Sequence, residues 1–181
     1  MDIKTLFLIL HIFGAVIGAG SAFFSDLLFL KSVRDGIISK TEIGFLRLGS
    51  MAVWIGLLLL LVSGAGLFFL DVDKYLTSNK FLAKMTVVAI LITNGILFHT
   101  VHLSRIVRHA DQHFPSSDEF MRKSSLLLIS GAISVVSWST AITLGVMKNV
   151  PYSYGTIMFW YALALGGAII SALLLKRKLL P

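Results

Sequence analysis

Five apolar stretches, each of about 20 residues or more, decide what this chain can fold into. They lie at about 5–30, 48–70, 81–107, 125–146 and 155–175. A hydrocarbon layer roughly 30 Å thick is crossed by about 20 helical residues, and within it no backbone polar group can be left without a partner. The 181 residues therefore predict one all-α domain, an integral membrane bundle of five transmembrane helices. Only 14% of the residues are charged, where a soluble domain carries about 25%. The first stretch exceeds a signal-peptide core of about 7–15 residues, and only Lys4 precedes it, so it is read as a retained helix.

The basic residues set the orientation. Lys31, Arg34, Lys40 and Arg47 follow the first stretch, Arg105, Arg108, Arg122 and Lys123 flank the third loop, and Lys176, Arg177 and Lys178 end the chain. These eleven of the 16 basic residues fall on one face, which the positive-inside rule makes cytoplasmic. The expectation is an N-terminus outside, a C-terminus in the cytoplasm, and a multi-pass protein of the cell (plasma or inner) membrane. The net charge of +7 is then a property of loops, so the expected partner is the lipid bilayer, with no nucleic acid. The terminal basic cluster suits anionic headgroups.

The chain has no cysteine. Disulfides, thiolate zinc sites, cysteine-ligated iron–sulfur clusters and covalent haem attachment are excluded. No nucleophile elbow, H-E-x-x-H or phosphate-binding glycine loop points to a hydrolase. The segment from Asp35-Gly36 to Glu42 matches the second half of a calcium loop, but Lys31 and Val33 stand where its first carboxylates belong. It reads instead as a turn at Asp35-Gly36 followed by a capping box of Ser39 and Glu42.

Ionisable residues at membrane depth are costly and suggest a site. They are His11 and Asp26 on the first span and Lys84, His99 and His102 on the third. At 100° per residue, Lys84, His99, His102, His109 and His113 fall within about 80° of one helix face, which predicts that this face points inward. His99 and His102 are candidate metal ligands, and Asp26 a candidate relay carboxylate. The pair His109 and His113, four apart, with Asp111, Asp118 and Glu119 nearby in sequence, reads as a solvated loop rather than a zinc or copper site. His11 and His99 lie about 19 Å apart along the membrane normal, too far to flank one haem.

Small residues mark close helix contacts. His11, Gly14, Ala15, Gly18, Ser21, Ala22 and Ser25 form one stripe on the first span, and Ser130, Ser134, Ser137 and Ala141 another on the fourth. The first, third and fourth spans are expected to enclose the polar interior, with the second and fifth facing lipid. Asp26 and Arg47 are expected to pair with each other or with His99 or His102. The Gly14-x-x-x-Gly18 spacing suits a homo-oligomer interface or packing within one chain.

The segment Leu10-His11-Ile12-Phe13-Gly14, Arg47 before the second span and Lys84 near the start of the third resemble HemJ-type protoporphyrinogen oxidases and the related CopD-like membrane proteins. The resemblance covers roughly the first 100 residues. It implies that His11 ligates haem (haem b) and that Arg47 and Lys84 meet haem or porphyrin carboxylates. Where the family carries an arginine after Leu-Pro on the first helix, this chain has Phe23-Phe24-Ser25-Asp26, and its fifth span is additional. Those departures weigh against porphyrinogen oxidation and leave haem or porphyrin binding as the implied activity. Three functions follow from the sequence: a redox haem or porphyrin protein, a proton or metal-cation transporter with a His/Lys/Asp relay, and a structural membrane subunit.

Overall fold

A computed structural model describes residues 1–34, 37–108, 118–148 and 150–176. The described residues are helical with no strand, and five helices are long and apolar enough to cross a membrane. The elements are α1 (Ile3–Arg34), α2 (Lys40–Phe69), a short α3 (Val72–Leu76), α4 (Asn79–Leu97), a π-helical segment (Phe98–Leu103), α5 (Ser104–Arg108), α6 (Asp118–Val146) and α7 (Tyr154–Leu174). α4, the π segment and α5 form one continuous span. The turn at Asp35-Gly36, the histidines His109 and His113 with Asp111, and the basic Arg177 and Lys178 lie outside the described residues.

Local chemistry explains the helix ends. Asp2 accepts from the Thr5 amide at 2.6 Å and caps α1, and that amide holds the exposed carboxyl below its ordinary pKa. The predicted capping box starts α2: Ser39 Oγ accepts from the Glu42 amide, and Glu42 Oε2 accepts from the Ser39 amide at 2.8 Å. α2 therefore begins at Lys40, eight residues before the apolar stretch, and its first turns bury Ile43 and Leu46. α4 and α7 start at Ser78 and Ser153, each accepting an amide from three residues on. Phe68, Tyr75 and Phe81 stack across the α2–α4 connection, with ring centroids 5.2–5.6 Å apart around Phe81.

Packing follows a membrane logic, with apolar side chains outward and small residues between helices. The closest pair is α1 with α2. Gly14 rests on Gly56 and Leu60, and a methyl added at Gly56 would stand 2.5 Å from the Cα of Gly18. Three buried clusters then stack along the bundle. Ala83, Leu144 and Ile157 join α4, α6 and α7 near the end that carries the N-terminus. Ala19, Ala22, Leu57, Leu91 and Trp138 fill the middle. At the opposite end Phe29, Val33, Ile43, Leu46, Leu103, Ile106 and Leu128 join α1, α2, the π segment, α5 and α6. α7 buries Ile157 and Tyr161 and turns Phe159, Trp160, Leu163 and Ile170 outward, the lipid-facing part expected of the fifth span.

The second span departs from expectation. It turns Leu48, Leu58 and Val62 outward, yet buries Ser50, Gly56 and Ser63 against its neighbours. Besides its Leu-rich face, α2 carries a stripe of serines and glycines, and this stripe is what lets α1 approach. The predicted α1–α4–α6 enclosure is thus an α1–α2 hairpin set against α4 and α6.

Candidate functional site

At the level of the N-terminus, α1, α2 and α4 bring three polar side chains together. Ser63 Oγ donates to the Leu59 carbonyl one turn back, at 2.5 Å. Its oxygen is then free to accept, and His11 Nδ1 lies 3.0 Å from it. With the Nδ1 proton so placed, Nε2 carries the imidazole lone pair. Lys84 Nζ reaches that lone pair at 3.5 Å, the long limit of a hydrogen bond. His11 and Lys84, 73 residues apart in sequence, form one chain of contacts that ends on a backbone carbonyl.

Glycines shape the surroundings. A methyl at Gly64 would lie 3.4 Å from His11 Cε1, and one at Gly145 of α6 would lie 3.7 Å from Lys84 Nζ. The charged group acting on Lys84 is Lys80, a like charge that itself donates to the Met147 carbonyl. No carboxylate among the described residues faces Lys84. The cluster is therefore a cationic, hydrogen-bonded set at membrane depth, with His11 Nε2 facing the Lys84 ammonium.

The other predicted residues go elsewhere. Arg47 is exposed on α2, sixteen residues from Ser63 and so about 24 Å along the helix from the His11 level. His99 is exposed in the π segment and meets Ser50 Oγ through Nδ1 at 3.1 Å. His102 is buried, its ring against Phe98 at 6.2 Å. The shared inward face predicted for His99 and His102 is overturned by the π segment. An i→i+5 turn holds more residues per revolution, so 100° per residue overstates the rotation between them. Ser104 Oγ donates to the His99 carbonyl at 3.3 Å inside this wider turn. Among the described residues no group of three or more His, Asp or Glu side chains is placed to hold a metal.

Asp26 and Arg47 form no ion pair. Asp26 lies against Gly131 and the Ser134 side chain of α6, while Arg47 turns outward. Sequence reasoning missed Ser63, Ser50 and Asn94 among the residues that complete these contacts, whereas Ser130, the partner of Asn94, belongs to the small-residue stripe read on the fourth span. Asn94 donates to the Ser130 carbonyl at 3.0 Å and accepts from its hydroxyl at 2.9 Å, tying α4 to α6. The available signal was the run Ser63-Gly64-Ala65-Gly66, small residues that mark a close approach. Set against protein-family models, curated proteins and solved structures, the chain matches none.

Proposed function

We propose that this polytopic membrane protein binds haem or a porphyrin non-covalently at the His11–Lys84–Ser63 cluster, with His11 as the axial ligand. The single observation that carries the reading is the orientation of His11. Ring nitrogens that ligate a metal almost always have their other N–H held by a hydrogen-bond acceptor, which fixes tautomer and angle. Ser63 supplies that acceptor, and its own proton is committed to Leu59. Nε2 is the nitrogen left to bind iron.

The donor set suits the group. Among the described residues no carboxylate pairs with Lys84, and its four-carbon stem lets the ammonium swing from Nε2 to a propionate carboxylate. Bound through His11 alone, haem would supply an iron able to take up a substrate or a gas, and Lys84 would hold a carboxylate of the group. The reading leaves Arg47 out, since about 24 Å exceeds the span of one haem attached at His11. A relay through Lys84, His99, His102 and Asp26 has weaker support, because His99 is exposed while His102 is buried.

The test is an absorption spectrum of the detergent-purified protein from cells supplied with haem, oxidised and then dithionite-reduced. A Soret band that shifts on reduction and is lost in His11→Ala is expected. A featureless spectrum, or a band that survives His11→Ala, removes the reading.

A further inference from the structure

The haem reading does not use Asp26, which lies on α1 about 22 Å from His11 along the helix axis. Its carboxyl is packed into the seam between α1 and α6. A methyl built on Gly131 would lie 3.9 Å from Oδ1, so Gly131 is what leaves room for the group. Ser134, three residues along α6, brings its side chain to the carboxyl. Oδ2 is closed off from solvent and has no hydrogen-bond partner. From α6, then, the facing groups are Gly131 and Ser134, and neither is charged. On α1 the adjacent Ser25 turns towards Gly49 of α2. No charged side chain among the described residues acts on Asp26, and Arg47 faces outward.

A carboxylate in that setting lacks what an anion needs. Buried ions persist when paired or fully hydrogen-bonded, and one oxygen here has neither. A metal cation does not answer the deficit either. Hard cations take six or more oxygens, whereas the seam presents one carboxyl and one hydroxyl, and among the described residues no acidic or histidine cluster surrounds them. A single proton removes the charge and leaves Ser134 Oγ as a partner for the neutral acid.

We propose that Asp26 is a proton-binding site, and that the bound proton holds the α1–α6 seam closed. Ionisation leaves a charge that only water can solvate, so proton release is linked to separation of α1 from α6. The same seam contains a reporter. Trp138 of α6 is buried with its ring on Gly18 of α1, and its Nε1 has no hydrogen-bond partner. Separation of the helices wets this indole. The inference stands apart from haem binding, since it needs neither His11 nor Lys84.

The experiment uses the full chain in lipid nanodiscs, with Trp54 and Trp160 replaced by Phe so that Trp138 alone emits. Infrared spectra are recorded alongside across a pH series. The expected result is a protonated-carboxyl carbonyl band at neutral pH that disappears at higher pH together with a red shift of Trp138 emission. Asp26→Asn, an isostere of the neutral acid, should lack the band and keep blue emission at every pH. A spectrum with no such band, or a band that Asp26→Asn retains, overturns the site. A band that titrates while Trp138 emission stays fixed overturns the linkage to the seam. If Asp26→Asn fails to fold, Ser134→Ala is the second variant: its band should move in frequency and midpoint, and an unmoved band contradicts the assignment.

Discussion

The two ends of this bundle both hold ionisable side chains at helix contacts, but they arrange them in different ways. Near the N-terminus, Lys84, His11 and Ser63 come from three helices and converge on one imidazole. Near the opposite end, His99 is paired with Ser50, His102 packs on Phe98, and Asp26 sits in a separate seam with α6. Convergence orients a lone pair and concentrates positive charge at one centre, the arrangement on which the haem proposal rests. Dispersal gives no shared centre, and it leaves Asp26 Oδ2 without a hydrogen-bond partner. The lesson is that membrane-depth residues of similar chemistry acquire different roles from their neighbours, and here those neighbours are serines and glycines.

Substitution tests this contrast, and the largest effect expected is structural. Gly56→Leu drives a side chain into the backbone of Gly18, which cannot yield as a flexible side chain would. Overpacking of this kind costs on the order of 3 kcal/mol or more, so both levels should be lost together. A Cβ added at Gly166 on α7 meets nothing within 4 Å, so Gly166→Leu is the matched control. Size-exclusion profiles in detergent should show aggregation for the first and a native peak for the second. If Gly56→Leu elutes normally, the α1–α2 hairpin does not set the site.

Next comes the orienting serine. Loss of a residue that positions a metal-ligating histidine typically weakens binding about 10–100-fold. Ser63→Ala should show that loss in haem titrations, while Ser50→Ala, its counterpart beneath His99, should leave affinity unchanged. Equal effects from the two serines would erase the distinction between the levels. Lys84→Met should weaken binding by roughly tenfold, the value of one charge-assisted contact of about 1.5 kcal/mol, and should spare the reduced-minus-oxidised band positions. A shifted band would make Lys84 a ligand instead.

How much of this was legible beforehand depends on the kind of signal. Apolar length announced the five spans, and the Ser39/Glu42 spacing announced the start of α2, because both are local patterns. His11 and Lys84 stood out because ionisable groups are rare at that depth. Their contact did not, since two residues 73 apart meet only through tertiary packing. Ser63 and Ser50 were hidden because a serine in a Leu-rich helix costs little and usually signals packing. The inward His99–His102 face failed for a different reason: nothing in Phe98-His99-Thr100-Val101-His102-Leu103 marks a π segment, and the projection assumed an unbroken α-helix.

The smallest effect expected belongs to the capping box. Ser39→Ala removes an N-cap partner and should lower stability by about 1 kcal/mol in a denaturant titration, with haem affinity unchanged. A change in affinity would mean that the two ends are coupled.

The most direct test of the central claim is a haem titration of the apoprotein in nanodiscs, comparing His11→Ala with His99→Ala and His102→Ala. The account predicts a saturable Soret signal that His11→Ala abolishes and the other two preserve. A signal unaffected by His11→Ala, or lost in His99→Ala, would contradict it.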